Sequence, residues 1–223
     1  MFSKELGVKL DKYHLLKHPF YQKYWNEGKL TREIIKDYAE QYYQHVKAFP
    51  RYISATHSIC EDLEKRKILL ENLQDEENKD GDHPKLWKNF AKAMGADEKK
   101  IEDIKPDAFT KEMINNFFTQ ARSSYAEGLA SLYTYERQIP EIAETKIQGL
   151  KKFYGVNSKE GLEFFEAHKS ADVIHRAECE KLLDGLSKEE QIKAEKASLT
   201  TAKFLWNFLS GMTAKHKLEQ VAA

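Results

Sequence analysis

One period dominates this sequence. Apolar residues recur every three to four positions along most of the chain, and no stretch shows the strict alternation of a half-buried strand. Ile34, Tyr38, Tyr42 and Val46 make one such stripe, widened by Ile35, Ala39 and Phe49. A chain patterned this way has to bury its stripes against other helices, so the expected fold is all-α. Start and stop signals divide it. Residues 4–17 read as a first helix carrying Leu6, Leu10 and Leu15 or Leu16, and Pro19 opens a short helix that stops before Gly28. Thr31 is a good N-cap for the next helix, and Pro50 should kink or break the chain after it. Helical segments follow from about 51 to 60, and from Asp62 to Asn78 with Leu63, part of Ile68-Leu69-Leu70, and Leu73 inward. Asn78 to Asp82 reads as a loop, and Pro84 starts a helix ended by Gly95. Pro106 opens a long helix through Phe118, a further one runs from about Ser124 to Gln138, and Pro140 interrupts before a segment that stops near Gly155. Ser158 caps a helix to Leu183, and Ser187 with Glu190 makes a capping box for the last one, to about Gly211. With no repeat and no long linker, the expectation is one domain over residues 1–223: a bundle of about seven helices, several kinked or broken at Pro.

At 223 residues such a core needs no disulfides. Lys and Arg total 36, as do Asp and Glu, so the net charge is zero. That balance argues against nucleic acid and against an anionic membrane surface as partners. No apolar run approaches the ~18 residues of a membrane span. The opening MFSKELGVKLDKYH has no apolar core, so it does not read as a secretory signal. Cys60 and Cys179 lie far apart and fit a reducing compartment, so the expected location is cytoplasmic.

The strongest local signal for chemistry is His168-x3-Asp172-x2-His175, whose spacings of four and three put all three side chains on one helical face. Two imidazoles and a carboxylate match the ligand set of non-haem iron sites. Two histidines in eight residues also arise on an ordinary solvated face. Glu76 and Glu77 end a helix, with His83 across the turn, and Glu136 sits on a stripe otherwise apolar at Leu129 and Leu132. A carboxylate there needs a partner, either a metal ion or a lysine or arginine. The repeated Glu-x-x-His of ferritin-like sites is missing: Ile139 follows Glu136 at that distance and Lys79 follows Glu76. His14, His18 and His216 read as surface or terminal, and His45 and His57 as hydrogen-bonded core or surface residues. Neither cysteine has the setting of a nucleophile. No phosphate loop, dinucleotide-binding glycine pattern or nucleophile elbow is present.

Lys47-Ala48-Phe49-Pro50-Arg51-Tyr52, Asp75-Glu76-Glu77-Asn78, Tyr133 through Pro140, and His168 with Ala171-Asp172-Val173 and His175 together resemble the CADD-like proteins of the TenA/PqqC group, over about residues 8 to 210. The resemblance implies a haem-oxygenase-like helical fold. It also implies a dinuclear metal oxygenase that makes p-aminobenzoate for folate synthesis from its own tyrosine and lysine side chains. The family's metal ligands fall on Glu76, His83, Glu136, His168, Asp172 and His175, all of the expected type. The sacrificed tyrosine falls on Tyr21, a second tyrosine tied to the reaction on Tyr38, a third, near the metals, on Tyr135, and the donor lysine on Lys146. The implied cofactors are two transition-metal ions, iron with iron or manganese with iron, with O2 as co-substrate. The sequence departs from its relatives at Lys79-Asp80-Gly81-Asp82, before His83.

The relatives supply alternatives. A PqqC-like, metal-free quinone-precursor oxidase has no need of Glu76 and Asp172 together. A TenA-like thiamin-pyrimidine hydrolase uses a cysteine, and none lies between residues 61 and 178. A non-enzymatic module binding a host death-domain protein would need an exposed apolar stripe, which the sequence does not display. Dimers are common in this fold group, which makes a homodimer the expected assembly.

Overall fold

Among the described residues the backbone forms ten α-helices and no strand. The computed structural model describes residues 1–79 and 81–218, the side chains of 170–173 excepted. In chain order the helices are α1 (Phe2–Leu10), α2 (Arg32–Val46), α3 (Phe49–Ser58), α4 (Leu63–Glu76), α5 (His83–Ala93), α6 (Ala108–Ser123), α7 (Tyr125–Glu136), α8 (Ile139–Tyr154), α9 (Lys159–Asp184) and α10 (Lys188–Lys215). Their starts follow local chemistry. The side chains of Thr31, Asp62, Asp82, Ser124 and Ser158 each accept a backbone N–H of the first turn. Ser187 and Glu190 form the expected reciprocal capping box. Pro50, Pro84 and Pro140 lie in the first turns of α3, α5 and α8, where the missing N–H has no intrahelical partner to lose. Each starts a helix, so α2 with α3, and α7 with α8, are separate helices meeting at a corner. Gly155 ends α8 in the left-handed conformation at φ 67°.

Two segments differ from the sequence reading. The helix expected over 4–17 stops at Leu10 and continues as two 3₁₀ turns, Asp11–Tyr13 and Leu15–Lys17. His14 separates them with extended ψ, and its ring accepts the Leu16 N–H. The short helix after Pro19 is a π-helix, Phe20–Trp25, whose wide register buries Phe20, Tyr21, Tyr24 and Trp25 together. α4 departs in a second way. Leu63 and Leu70 are exposed, whereas Leu69, Asn72 and Glu76, spaced three and four apart, face inward. Leu69 is buried and Ile68 and Leu73 pack against the core as expected, so the inward face of α4 is apolar in part and shares its place with two polar side chains.

α9 organises the interior. It packs against α8, α5 and α7, and also touches α1 and α4. Its inward face is therefore reached from several helices at once. The rest of the core is aromatic: Tyr38 stacks on Tyr42 and touches Phe208 and Trp87, and the Trp87 indole N–H donates to the Ala39 carbonyl at 2.7 Å. His45 is fully buried among Tyr42, Phe49, Tyr52, Phe117 and Tyr135, with neither ring nitrogen hydrogen-bonded to protein. The expected hydrogen-bonded histidine is thus a ring packed among rings. His18, expected at the surface, is buried against Trp206 and hydrogen-bonds Ser210 at 3.0 Å. No helix is long and apolar enough to cross a membrane among the described residues.

Candidate metal centre

Glu76 comes from the last turn of α4, His83 from the first residue of α5 and His168 from the middle of α9. All three are buried, and their nearest donor atoms lie within 4.8 Å of one another. His83 Nδ1 and Glu76 Oε2 are 2.9 Å apart, and the His83 and His168 rings lie 4.2 Å apart between centroids. His168 Nδ1 sits 2.7 Å from the Phe164 carbonyl oxygen. A carbonyl only accepts, so Nδ1 carries the proton and Nε2 keeps its lone pair for a ligand. Burial, with the neighbouring His83, holds His168 well below the usual imidazole range, so it is neutral. The group sets one buried carboxylate beside two imidazoles, and two nitrogens with one oxygen are a donor set that iron and manganese accept. The residues present fit a metal ion.

The rest of the expected ligand set lies along the neighbouring faces of α7 and α9. Glu136 is almost completely buried; its Oε1 accepts from Asn72 Nδ2 at 2.6 Å and its Oε2 from the Cys179 thiol at 3.4 Å. Burial and the Glu136 carboxylate push the Cys179 thiol well up, so it stays an S–H donor. His175 Nε2 lies 3.1 Å from Asp75 Oδ2, a carboxylate oxygen that accepts, so Nε2 carries a proton. Glu136 and His175 are outside the close group of three. The Asp172 side chain lies outside the described residues. In the sequence, Asn72 goes unnamed, Asp75 figures only as part of a motif, and Cys179 is weighed only as a nucleophile. The available signals were spacings: Asn72 lies one helical turn before Glu76, and Cys179 one turn after His175.

Against this group lies a narrow, largely apolar cavity. Tyr21, Tyr38, Tyr135, Lys146 and His168 all line it, with an apolar remainder that includes Phe164, Phe165 and Leu209. It therefore brings together the four side chains that the resemblance implied and one residue of the histidine–carboxylate group. Lys146 Nζ donates to the Tyr38 hydroxyl at 2.6 Å, and the Tyr38 and Tyr21 hydroxyls share a hydrogen bond. The Lys146 ammonium position also lies 4.7 to 5.3 Å from the ring centres of Tyr38, Trp87, Tyr42 and Phe165. Burial pulls Lys146 down to about 7, so much of it is a neutral amine near neutral pH. Burial raises Tyr21 and Tyr38 far above the usual phenol range, so both stay protonated. The free space in the cavity is about 20 Å³, room for roughly one water.

An all-helical bundle whose interior joins a buried histidine–carboxylate group, able to hold a metal ion, to a phenol-lined cavity is a protein of the haem-oxygenase-like fold. A solved domain with that fold from Shewanella denitrificans superposes with a TM-score of 0.76, covering 99% of this chain and 94% of its own at 17% identity. The TENA/THI-4/PQQC family profile matches residues 6–215, and the chain belongs to that family. Among curated relatives, a 4-aminobenzoate synthase of Chlamydia muridarum is 42% identical, over 93% of this chain and 88% of its own. A pyrroloquinoline-quinone synthase of Ectopseudomonas mendocina is 24% identical, over 98% of this chain and 89% of its own.

Proposed function

We propose that this protein is an oxygen-dependent 4-aminobenzoate synthase that draws the aromatic ring from Tyr21 and the amino group from Lys146. The higher identity to a protein named for that product, against a much lower identity to a quinone synthase, favours this reaction within the family. The observation that carries the self-supply reading is the cavity. Its free space of about 20 Å³ falls well below the ~150 Å³ of cavities that take up benzene. An external aromatic substrate has no room there, and a phenol already stands in the wall.

Two metal ions, iron with iron or manganese with iron, would be held by Glu76, His83, Glu136, His168, Asp172 and His175, and would supply the activation of O2 that an oxidation of tyrosine needs. The remaining work falls to the chain. The bundle fixes Tyr21 beside Tyr38, in the cavity that His168 also lines, which removes the entropic cost of capturing a free substrate. The apolar walls exclude water, so competing oxidation of solvent-borne molecules is suppressed. Tyr38 accepts from Lys146 and donates its own hydroxyl to the Tyr21 oxygen, so a hydrogen-bonded chain links the amine to the ring to be oxidised. Lys146, partly neutral, offers the nitrogen lone pair that joining an amino group to a ring requires.

The test uses purified full-length protein with iron, or iron and manganese, reductant and oxygen. The expected result is at most about one 4-aminobenzoate per chain and loss of intact Tyr21 peptide by mass spectrometry. Tyr21→Phe should bind metal and yield no product, and His168→Ala should lose metal uptake while keeping helix content. Many turnovers with an intact Tyr21 peptide would overturn the self-supply reading.

A further inference from the structure

The contacts of Asn72 point to a role in the metal centre beyond the six expected ligands. Its side chain is 3% exposed and lies on the inward face of α4, one turn before Glu76. Asn72 is a poor choice for a helix-facing core position, because a buried carboxamide needs four hydrogen bonds to be satisfied. One is visible: Nδ2 donates to Glu136 Oε1 at 2.6 Å, across from α4 to α7. Its Oδ1 is buried with no protein donor. An orphaned buried acceptor is costly, and native proteins place few of them. On α4 the carboxamide takes an inward position beside Leu69 while Leu63 and Leu70 stay exposed. Both halves of the carboxamide make sense together if the group faces a hydrated cation. The amide N–H fixes one oxygen of an anionic ligand, and the carbonyl oxygen accepts from a water on the ion.

We propose that Asn72 is a positioning residue of the metal centre, orienting Glu136 through Nδ2 and accepting from a metal-bound water through Oδ1. Glu136 lies on α7, apart from the close group of Glu76, His83 and His168. Its rotamer is fixed from one side by Asn72 and from the other by the Cys179 thiol at 3.4 Å. A strong neutral donor on Oε1 leaves that oxygen a second lone pair, so the contact orients the carboxylate without using up its capacity to bind a cation. Asn72 also ties α4 to α7 one helical turn from Glu76. The inference rests on the metal-centre reading above.

The test is a cobalt(II) titration of metal-free full-length protein, followed by visible absorption and by cobalt-dependent shift of the melting temperature. Asn72→Leu keeps the volume and removes both polar functions. Asn72→Asp keeps the acceptor and replaces the donor by a like charge facing Glu136. The proposal expects two equivalents bound by wild type, with one of them weakened about 10- to 100-fold in each variant and the other little changed. The double variant Glu136→Gln with Asn72→Leu should lose less affinity than the two single losses combined, because the part of the Asn72 effect that acts through Glu136 is already gone, a coupling that a purely structural role would not produce. Should Asn72→Leu fail to fold, Asn72→Asp and its own double variant with Glu136→Gln carry the comparison. Unchanged affinity for both equivalents in the Asn72 variants, or additive losses in the double variant, would overturn the role of Asn72 and leave the metal centre standing. No cobalt uptake by wild type would overturn both.

Discussion

Lys146 is the residue whose environment can be measured most directly, and the metal-free protein suffices. Burial holds its amine at about 7 against 10.5 for a free lysine. The sign follows from proton counts. Between those values the unfolded chain carries the proton and the folded chain has shed it, so folding releases a proton and stability rises with pH. Above 10.5 both states are neutral and burial costs nothing through this group. Below about 7 both states are charged and the full penalty applies, about 5 kcal/mol for 3.5 pH units at 1.36 kcal/mol each. Replacing Lys146 with Met removes the titration, and also removes the 2.6 Å hydrogen bond to Tyr38, which is worth about 1 kcal/mol. In guanidinium unfolding, the stability of wild type relative to Lys146→Met should rise by about 2–3 kcal/mol between pH 6 and pH 9. The four surrounding rings act in the opposite sense, because each favours the ammonium form. If their attraction outweighed desolvation, Lys146 would be charged in both states and the difference would be flat across that range. A flat difference would refute the neutral-amine argument.

His45 makes the complementary acid-side case: burial holds it at about 3, so wild type should lose stability as pH falls from 6.5 toward 3. His45→Leu should not share that loss, and the two should diverge by roughly 3 kcal/mol at pH 4 in chemical denaturation; parallel curves would contradict it. Gly149 lies against the Trp25 indole, and an added Cβ would collide with its Nε1 and with the hydrogen bond from that nitrogen to the Thr145 carbonyl. Gly149→Ala should therefore cost roughly 1–3 kcal/mol, read as a fall in melting temperature, and an unchanged melt would show that the π-helix carrying Tyr21 shifts freely.

Much of this protein is determined locally. Ser187 and Glu190 build the cap of α10 from four residues of sequence, and Pro50, Pro84 and Pro140 fix helix starts because a missing N–H is tolerated only there. The i, i+7 placement of His168 and His175 on one face of α9 is likewise a property of helical geometry. What the sequence could not supply is everything that depends on which helix faces which. The stripe on α4 pointed Leu63 inward, yet tertiary packing exposes it and buries Asn72 and Glu76, because the carboxylate and carboxamide find partners on α5 and α7 that water would otherwise provide. The convergence of Tyr21, Tyr38 and Lys146 joins residues 108 positions apart through one 2.6 Å contact. A resemblance named them, but no spacing rule relates a π-helix near the N-terminus to α8. Periodicity is a short-range property of the chain and so determined the helices; the site is made of long-range contacts, and only the packing around α9 decided it.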